Sequence, residues 1–223
     1  MSPSHAADDA LAPLVRCVAA TIDDFNALLA ELSPAQFTAE STVLPHSTIG
    51  KHTRHAIDHF RLLLAAIDTG LAPADQHVAG AADEARRPRP SQQSKLSSSA
   101  AGSADAEAAL VDYDARERLA ELETVPAAAV AALEAARAGL CAALVTRNPA
   151  TPVRVAAVAV ANGPPVVMLS TLAREVWFTL HHAIHHGALI RAICIEHGVP
   201  AAAIPATLGM APSTLQHLSQ AAS

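Results

Sequence analysis

Apolar residues recur every three or four positions in four segments of this 223-residue chain, and this spacing is the strongest constraint on its fold. It places the apolar side chains along one side of an α-helix. The segments run over about residues 9–32, 48–70, 126–145 and 171–197, with Ser47 as the expected N-cap of the second and a short helix before the third. Because four amphipathic helices can bury their apolar sides against one another, the sequence predicts an all-α fold, a four-helix bundle.

A different pattern separates the third and fourth helical segments. Residues 151–171 are rich in β-branched side chains on both sides of Asn162-Gly163, a pair that is typical of tight hairpin turns. We therefore expect a β-hairpin inserted between the third and fourth helices. Ser170 or Thr171 is the expected N-cap of the fourth helix.

Length and composition predict one domain with a helical core. A domain usually has roughly 100 to 200 residues, so we expect residues 1–223 to form a single one. Hydrophobic residues make up 51% of the chain but aromatic residues only 3%, so Ala, Leu, Val and Ile must build the core. Residues 83–104 combine Pro, Ser, Gln and Arg without an apolar period, and we expect a flexible loop there, within the domain.

Charge and segment lengths argue against several classes of protein. The formal net charge is −6, and no stripe of Lys and Arg alternates with aromatic residues, so we expect no nucleic-acid partner. The N-terminus is not leader-like and no 18 apolar residues run together, so we expect no membrane partner and a soluble, cytoplasmic protein. The three cysteines are widely spaced and form neither a disulfide framework nor a CxxC pair.

Histidines are concentrated in two of the helical segments. Seven of the twelve lie in two short windows: His52, His55 and His59 in the second helix, and His181, His182, His185 and His186 in the fourth. Residues four apart on a helix are separated by about 40° around its axis. In the fourth helix, either pair with this spacing could chelate one divalent ion, and the pair of His182 and His186 lies nearer the centre of the apolar side.

The second helix can supply a third imidazole, and three protein ligands would leave a coordination position open for water or substrate. His52, His55 and His59 fall within about 60° of one another on one flank of the apolar side, so spacing leaves the choice among them open. The apolar phase mildly favours His52. No glutamate lies within a helical turn of either window, which disfavours zincin and di-iron carboxylate mechanisms.

Two segments carry a resemblance to a known family: STIGKHTRHAIDHFRLLL and, far downstream, STLAREVWFTLHHAIHHGALI. They resemble the DinB-like (DinB/YfiT) superfamily, whose members are four-helix bundles that hold one divalent metal with three histidines. The resemblance implies that His55 is the ligand from the second helix and that His182 and His186 are the HxxxH pair of the fourth. The segments DYDARER (112–118) and GMAPSTL (209–215) resemble an uncharacterised branch of the same superfamily.

The resemblance also implies a function. Related proteins include thiol-dependent transferases, and hydrolase activity has been proposed for others, so we expect a metal-dependent enzyme of one of these types. The expected cofactor is a divalent ion (Zn, Ni, Fe or Mn), the expected substrate a small molecule such as a low-molecular-weight thiol, and a homodimer is common in the family. The alternative is a non-catalytic binding or stress-response module in which the metal only stabilises the bundle.

Further side chains could contact the metal ligands or a substrate: His52, His59, His185, Asp114 and Arg116. The histidines could orient ligands or accept protons near an open coordination site. Asp114 and Arg116 begin a charged cluster that could bind an anionic group of the substrate. A salt-bridged helix start is the simpler interpretation of that cluster.

Overall fold

The computed structural model describes residues 11–70, 108–115, 117 and 119–221. The fold is mostly helical, as predicted. The helices are α1 (Ala12–Glu31), α2 (Pro34–Thr38), α3 (Ile49–Gly70), α4 (Ala120–Thr124), α5 (Pro126–Val145), α6 (Leu172–Glu196) and α7 (Pro212–Ala221), with a 3-10 turn at Ala201–Ala203. The predicted loop at 83–104 lies outside the described residues.

The four long helices bury their apolar sides against one another. Helix α3 packs against α5 and α6, and α1 packs against the same two helices. The core is aliphatic, as the composition predicts, with Phe25, Phe37 and Phe60 among its few buried aromatic rings. The contact between α3 and α6 brings together the two helices that carry the histidine windows.

A small three-stranded sheet accompanies the helices and adds one strand to the predicted hairpin. Its strands β1 (Ala109–Asp112), β2 (Pro152–Ala157) and β3 (Val166–Thr171) lie in that order. The predicted hairpin is confirmed, because β2 and β3 pair antiparallel and Asn162 has a φ of 62° between them. Strand β1 was not predicted. It has only four residues, and its parallel pairing with β2 comes from tertiary contact rather than from a turn.

Two helix starts also differ from the sequence prediction. Thr48, not Ser47, caps α3, because its Oγ1 accepts the Lys51 N–H at 3.0 Å. Helix α2 lies between the first two predicted helical segments, and a capping box between Ser33 and Gln36 stabilises its start. Of the two residues predicted as the N-cap of α6, Ser170 and Thr171, it is Thr171 that caps the helix.

Helix α5 is the one helix among the described residues that is long and apolar enough to cross a membrane. A core helix of a soluble protein passes the same test. Leu133, Leu140 and Leu144 of α5 are buried in the core, while Arg137 on its outer side forms an ion pair with Asp23 of α1. These contacts pack one side of α5 against the helical core and tie its other side to α1.

A close approach of backbones at Gly50 offers a test of the packing around α3. A Cβ at Gly50 would lie 2.0 Å from the carbonyl oxygen of Glu123, which belongs to α4. We expect Gly50→Ala to lower the free energy of unfolding by about 1–3 kcal/mol, as overpacking does. Gly139→Ala is the control, because its Cβ would meet only the flexible tip of Leu64. Equal urea midpoints for the two variants would contradict the prediction.

The Glu196 carboxylate joins the C-terminal end of α6 to the segment before α3. It accepts hydrogen bonds from the Ser41 and Thr42 hydroxyls and from the Thr42 N–H, each at 2.6 Å. These hydrogen bonds lower the pKa of Glu196 from 4.5 to about 2. Because the folded-state pKa is depressed, the stabilisation is present above pH 4.5 and is lost as the pH falls towards 2.

We therefore expect Glu196→Gln to lower the melting temperature near neutral pH. The difference from wild type should shrink between pH 4.5 and 2, because the wild-type carboxylate becomes protonated in that range. Glu31→Gln, at an exposed position at the end of α1, is the control for the loss of a surface charge. A difference in melting temperature that stays constant over this pH range would refute the assignment.

Candidate metal centre

The α3 and α6 histidines form one cluster. The His55 ring centroid lies 5.0 Å from that of His182 and 4.7 Å from that of His186. His59 stacks on His182 with centroids 3.8 Å apart, and His52 lies 5.0 Å from His186. All three histidines of the first window thus contact histidines of α6, so the packing does not single out one third ligand.

The HxxxH pair of α6 has the spacing of two ligands on one ion. The Nε2 atoms of His182 and His186 are 3.1 Å apart. Two nitrogens bound at 2.0–2.1 Å to one ion, with an angle of about 90–109° between them, are separated by about 2.9–3.4 Å. His186 is buried, with 8% of its surface exposed, and His182 is half-buried. This pair fits a divalent ion.

The α3 histidines add further nitrogens at compatible distances. One ring nitrogen each of His55, His59 and His182 lies within 4.8 Å of the other two. The Nδ1 of His59 is 3.0 Å from the backbone carbonyl oxygen of His55. Because a carbonyl oxygen only accepts, His59 Nδ1 carries the proton and its Nε2 keeps a free lone pair. A ligating imidazole commonly has this arrangement.

His52 contacts the cluster through His186. Its Nδ1 lies 2.8 Å from Nδ1 of His186, so one ring donates a hydrogen bond to the other. If His186 is the donor, its Nε2 keeps the lone pair that faces His182. The Nε2 of His52 is buried and has no hydrogen-bond partner within the described part of the chain. His52 is therefore placed to orient His186.

Burial favours the uncharged form of four histidines of this cluster. It lowers the pKa of His182 to about 3 and that of His186 to about 2, and the neighbouring imidazoles lower both values further. The pKa values of His52 and His59 are also lowered, chiefly by burial. Neutral imidazole is the form that binds metal, so these side chains are ready to act as ligands at pH 7.

Aromatic rings that the sequence analysis did not select cover one side of the cluster. Tyr113 follows β1 directly and stacks on His59, with centroids 5.0 Å apart and an interplanar angle of 7°. Phe178 of α6 lies 5.7 Å from His182 and 5.1 Å from Tyr113. Their positions in the sequence could have indicated these two residues. Phe178 precedes His182 by one helical turn, and Tyr113 lies in the DYDARER segment.

A buried carboxylate holds the Tyr113 ring in place. Glu175 is fully buried, and its Oε2 accepts a hydrogen bond from the Tyr113 hydroxyl at 3.0 Å. Its Oε1 accepts hydrogen bonds from the Ser170 hydroxyl and from Arg174. Burial and the nearby Glu175 raise the pKa of Tyr113 far above its ordinary value, so the hydroxyl stays protonated and donates.

The remaining sequence candidates lie at the edge of the cluster. His185 is exposed, and its ring centroid lies 5.2 Å from that of His186. Asp114 is also exposed, and its carboxylate accepts the Val158 N–H at 2.7 Å, which ties the residue to the end of β2. Its negative charge offsets part of the lowering of the His59 pKa by burial. Arg116 lies outside the described residues.

Comparison with known proteins identifies the family. The pattern of the DinB superfamily matches residues 18–190, which is more than half of the chain and includes both histidine windows. The chain belongs to the DinB superfamily.

A curated relative gives only local similarity. A stretch of 49 residues, 22% of the chain, is 51% identical to FK506-binding protein 5 of Rhizopus delemar. The match spans 12% of that relative's length, so it carries no argument about the function of this chain. No solved structure matched the chain.

The Tyr113 hydroxyl provides a test of the contacts that support the cluster. We expect Tyr113→Phe to lower the free energy of unfolding by about 1–3 kcal/mol, because Glu175 loses a hydrogen-bond donor inside the protein. Urea denaturation measures the loss. Thr69→Ala, which removes an exposed hydroxyl from α3, is the control. A Tyr113→Phe variant as stable as wild type would show that this hydrogen bond is unimportant.

Proposed function

We propose that this protein is a DinB-type four-helix bundle that binds one divalent metal ion through His55, His182 and His186 and acts as a metal-dependent enzyme. The observation that carries the proposal is the convergence of neutral imidazoles from α3 on the HxxxH pair of α6, whose Nε2 atoms are 3.1 Å apart. Membership of the DinB superfamily supports the same ligand set. Iron, nickel, zinc and manganese are all compatible with imidazole-containing sites.

The reaction class follows from what a bound ion supplies. A divalent ion polarises a carbonyl group or lowers the pKa of a coordinated water or thiol. The protein's own residues contact the ligands: His52 contacts His186, and His59, on which Tyr113 stacks, contacts the ring of His182. We propose a thiol-dependent transferase or a hydrolase acting on a small molecule, with a low-molecular-weight thiol as the first substrate class to test.

The surroundings of the centre suggest where a substrate would enter. His55 and His182 are half-buried, whereas His185 and Asp114 are exposed. The His185 ring centroid lies 6.4 Å from that of His182, and Asp114 interacts electrostatically with His59. We propose that the substrate reaches the metal next to His185 and Asp114. Arg116, a candidate from the sequence alone, remains proposed as a contact for an anionic group.

We further propose a cytoplasmic protein without nucleic-acid or membrane partners. The net charge of −6 supports the absence of a nucleic-acid partner. A homodimer is also proposed. Strand β3 lies at the edge of the sheet and exposes apolar side chains, including Val167 and Leu169, to which a second copy could bind.

Elemental analysis of protein purified without chelators tests the metal site. We expect about one divalent ion per wild-type chain, and its loss in His182→Ala and in His186→Ala, because each substitution removes a ligand. His185→Ala is the matched control, since it removes an exposed imidazole from the same helix and should leave the metal content unchanged. Metal-free wild-type protein, or full metal content in both ligand variants, would refute the proposal.

A second experiment separates catalysis from a purely structural metal. The structural alternative is supported by the position of the cluster between α3 and α6, where an ion would join the two helices. If the metal is catalytic, its removal should abolish turnover in a screen of thiols with electrophilic substrates and in a screen of hydrolysable esters, while the helical circular dichroism is retained. Unfolding on metal removal, with no turnover by the loaded protein, would favour the non-catalytic module.

A further inference from the structure

The metal-binding helices present two pairs of histidines with the same spacing. His55 and His59 are four residues apart on α3, as His182 and His186 are on α6. We propose that His59 is a fourth protein ligand, so that the centre is built from two facing HxxxH pairs. This inference rests on the proposed function, because it concerns the same metal site.

The hydrogen bonding of His59 leaves one nitrogen available for a metal. Its Nδ1–H donates to the carbonyl oxygen of His55, one turn earlier on the same helix. Its Nε2 therefore has a lone pair and no proton. One nitrogen each of His55, His59 and His182 lies within 4.8 Å of the other two, and the His182 Nε2 lies 3.1 Å from that of His186, so the two HxxxH pairs meet at one place.

The position of the His59 ring is fixed from both sides. His182 stacks on one face at 3.8 Å, and Tyr113 is also stacked with the ring, at 5.0 Å. Tyr113 is itself held by its hydrogen bond to the buried Glu175. The in-plane lone pairs of two stacked rings run nearly parallel, so binding of one ion by both His59 and His182 requires their rings to turn out of the stack.

A fourth imidazole changes which ions leave room for a substrate. A tetrahedral ion, the usual geometry of zinc, would be saturated by four histidines. An ion that takes five or six ligands keeps one or two positions open. The four-histidine centre therefore favours an octahedral or five-coordinate ion, such as ferrous iron or nickel, for the proposed enzyme.

Cobalt(II) binding tests the role of His59 without reference to activity. The apo protein is titrated with Co²⁺, whose visible absorption reports the coordination number and the donor atoms. We expect His59→Ala to raise the dissociation constant by more than about 100-fold, beyond the 10- to 100-fold loss typical of a residue that only supports a ligand. The absorption bands should also change in shape and intensity.

His185→Ala is the control, and it should leave both the dissociation constant and the spectrum as in wild type. Circular dichroism of each apo variant checks folding. A folded His59→Ala variant with a wild-type spectrum and a dissociation constant within threefold of wild type would overturn the four-ligand assignment and leave the three-histidine site intact. Wild-type protein that binds no Co²⁺ would instead overturn the proposed function itself.

A measurement on the unmodified protein covers the case in which His59→Ala does not fold. In proton NMR of Co²⁺-loaded wild type, each ligating imidazole contributes one exchangeable N–H signal with a large hyperfine shift. We expect four such signals, with the one from His59 exchanging slowly because its N–H is bonded to the His55 carbonyl. Three signals would overturn the inference.

Discussion

The contact between α3 and α6 is the interaction on which the rest of the site depends. It places imidazoles from the two helices against one another, away from water, and burial keeps them neutral. A cluster of neutral imidazoles has lone pairs and hydrogen-bond donors that must be satisfied. Part of that need is met by the hydrogen bond between His52 and His186 and by the one that His59 donates to the His55 carbonyl. A divalent ion would satisfy lone pairs that remain.

The small sheet contributes to the centre as well. Strand β1 ends immediately before Tyr113, and β3 contains Ser170, and the hydroxyls of both residues donate to Glu175. Glu175 belongs to the first turn of α6. The sheet is thereby attached to the helix that carries the HxxxH pair, and an aromatic ring is placed over His59. In a chain with few aromatic residues, Tyr113 and Phe178 are both used to cover the histidines.

Family membership and the geometry of the cluster both support a metal site, but the first concerns the whole fold and the second concerns single side chains. The DinB superfamily match concerns the chain from residue 18 to residue 190 and says nothing about individual atoms. The distances concern individual atoms, and they show His52 in contact with His186 and His59 in contact with the His55 carbonyl. A centre with two HxxxH pairs would distinguish this chain from a site of three histidines, with consequences for the ion that it selects.

The sequence by itself determined the long helices, the hairpin and the two histidine windows, because periodic apolar spacing and an Asn-Gly turn are local signals. It left the third ligand open, since His52, His55 and His59 share one flank of α3. Only the tertiary structure decided which rings meet, how His59 is protonated, and that Tyr113 and Glu175 belong to the site. Strand β1 pairs with β2, which lies about 40 residues further along the chain. Glu175 accepts a hydrogen bond from Tyr113, which lies 62 residues earlier. Contacts between such distant residues depend on how the helices and strands pack, and no local pattern in the sequence encodes them.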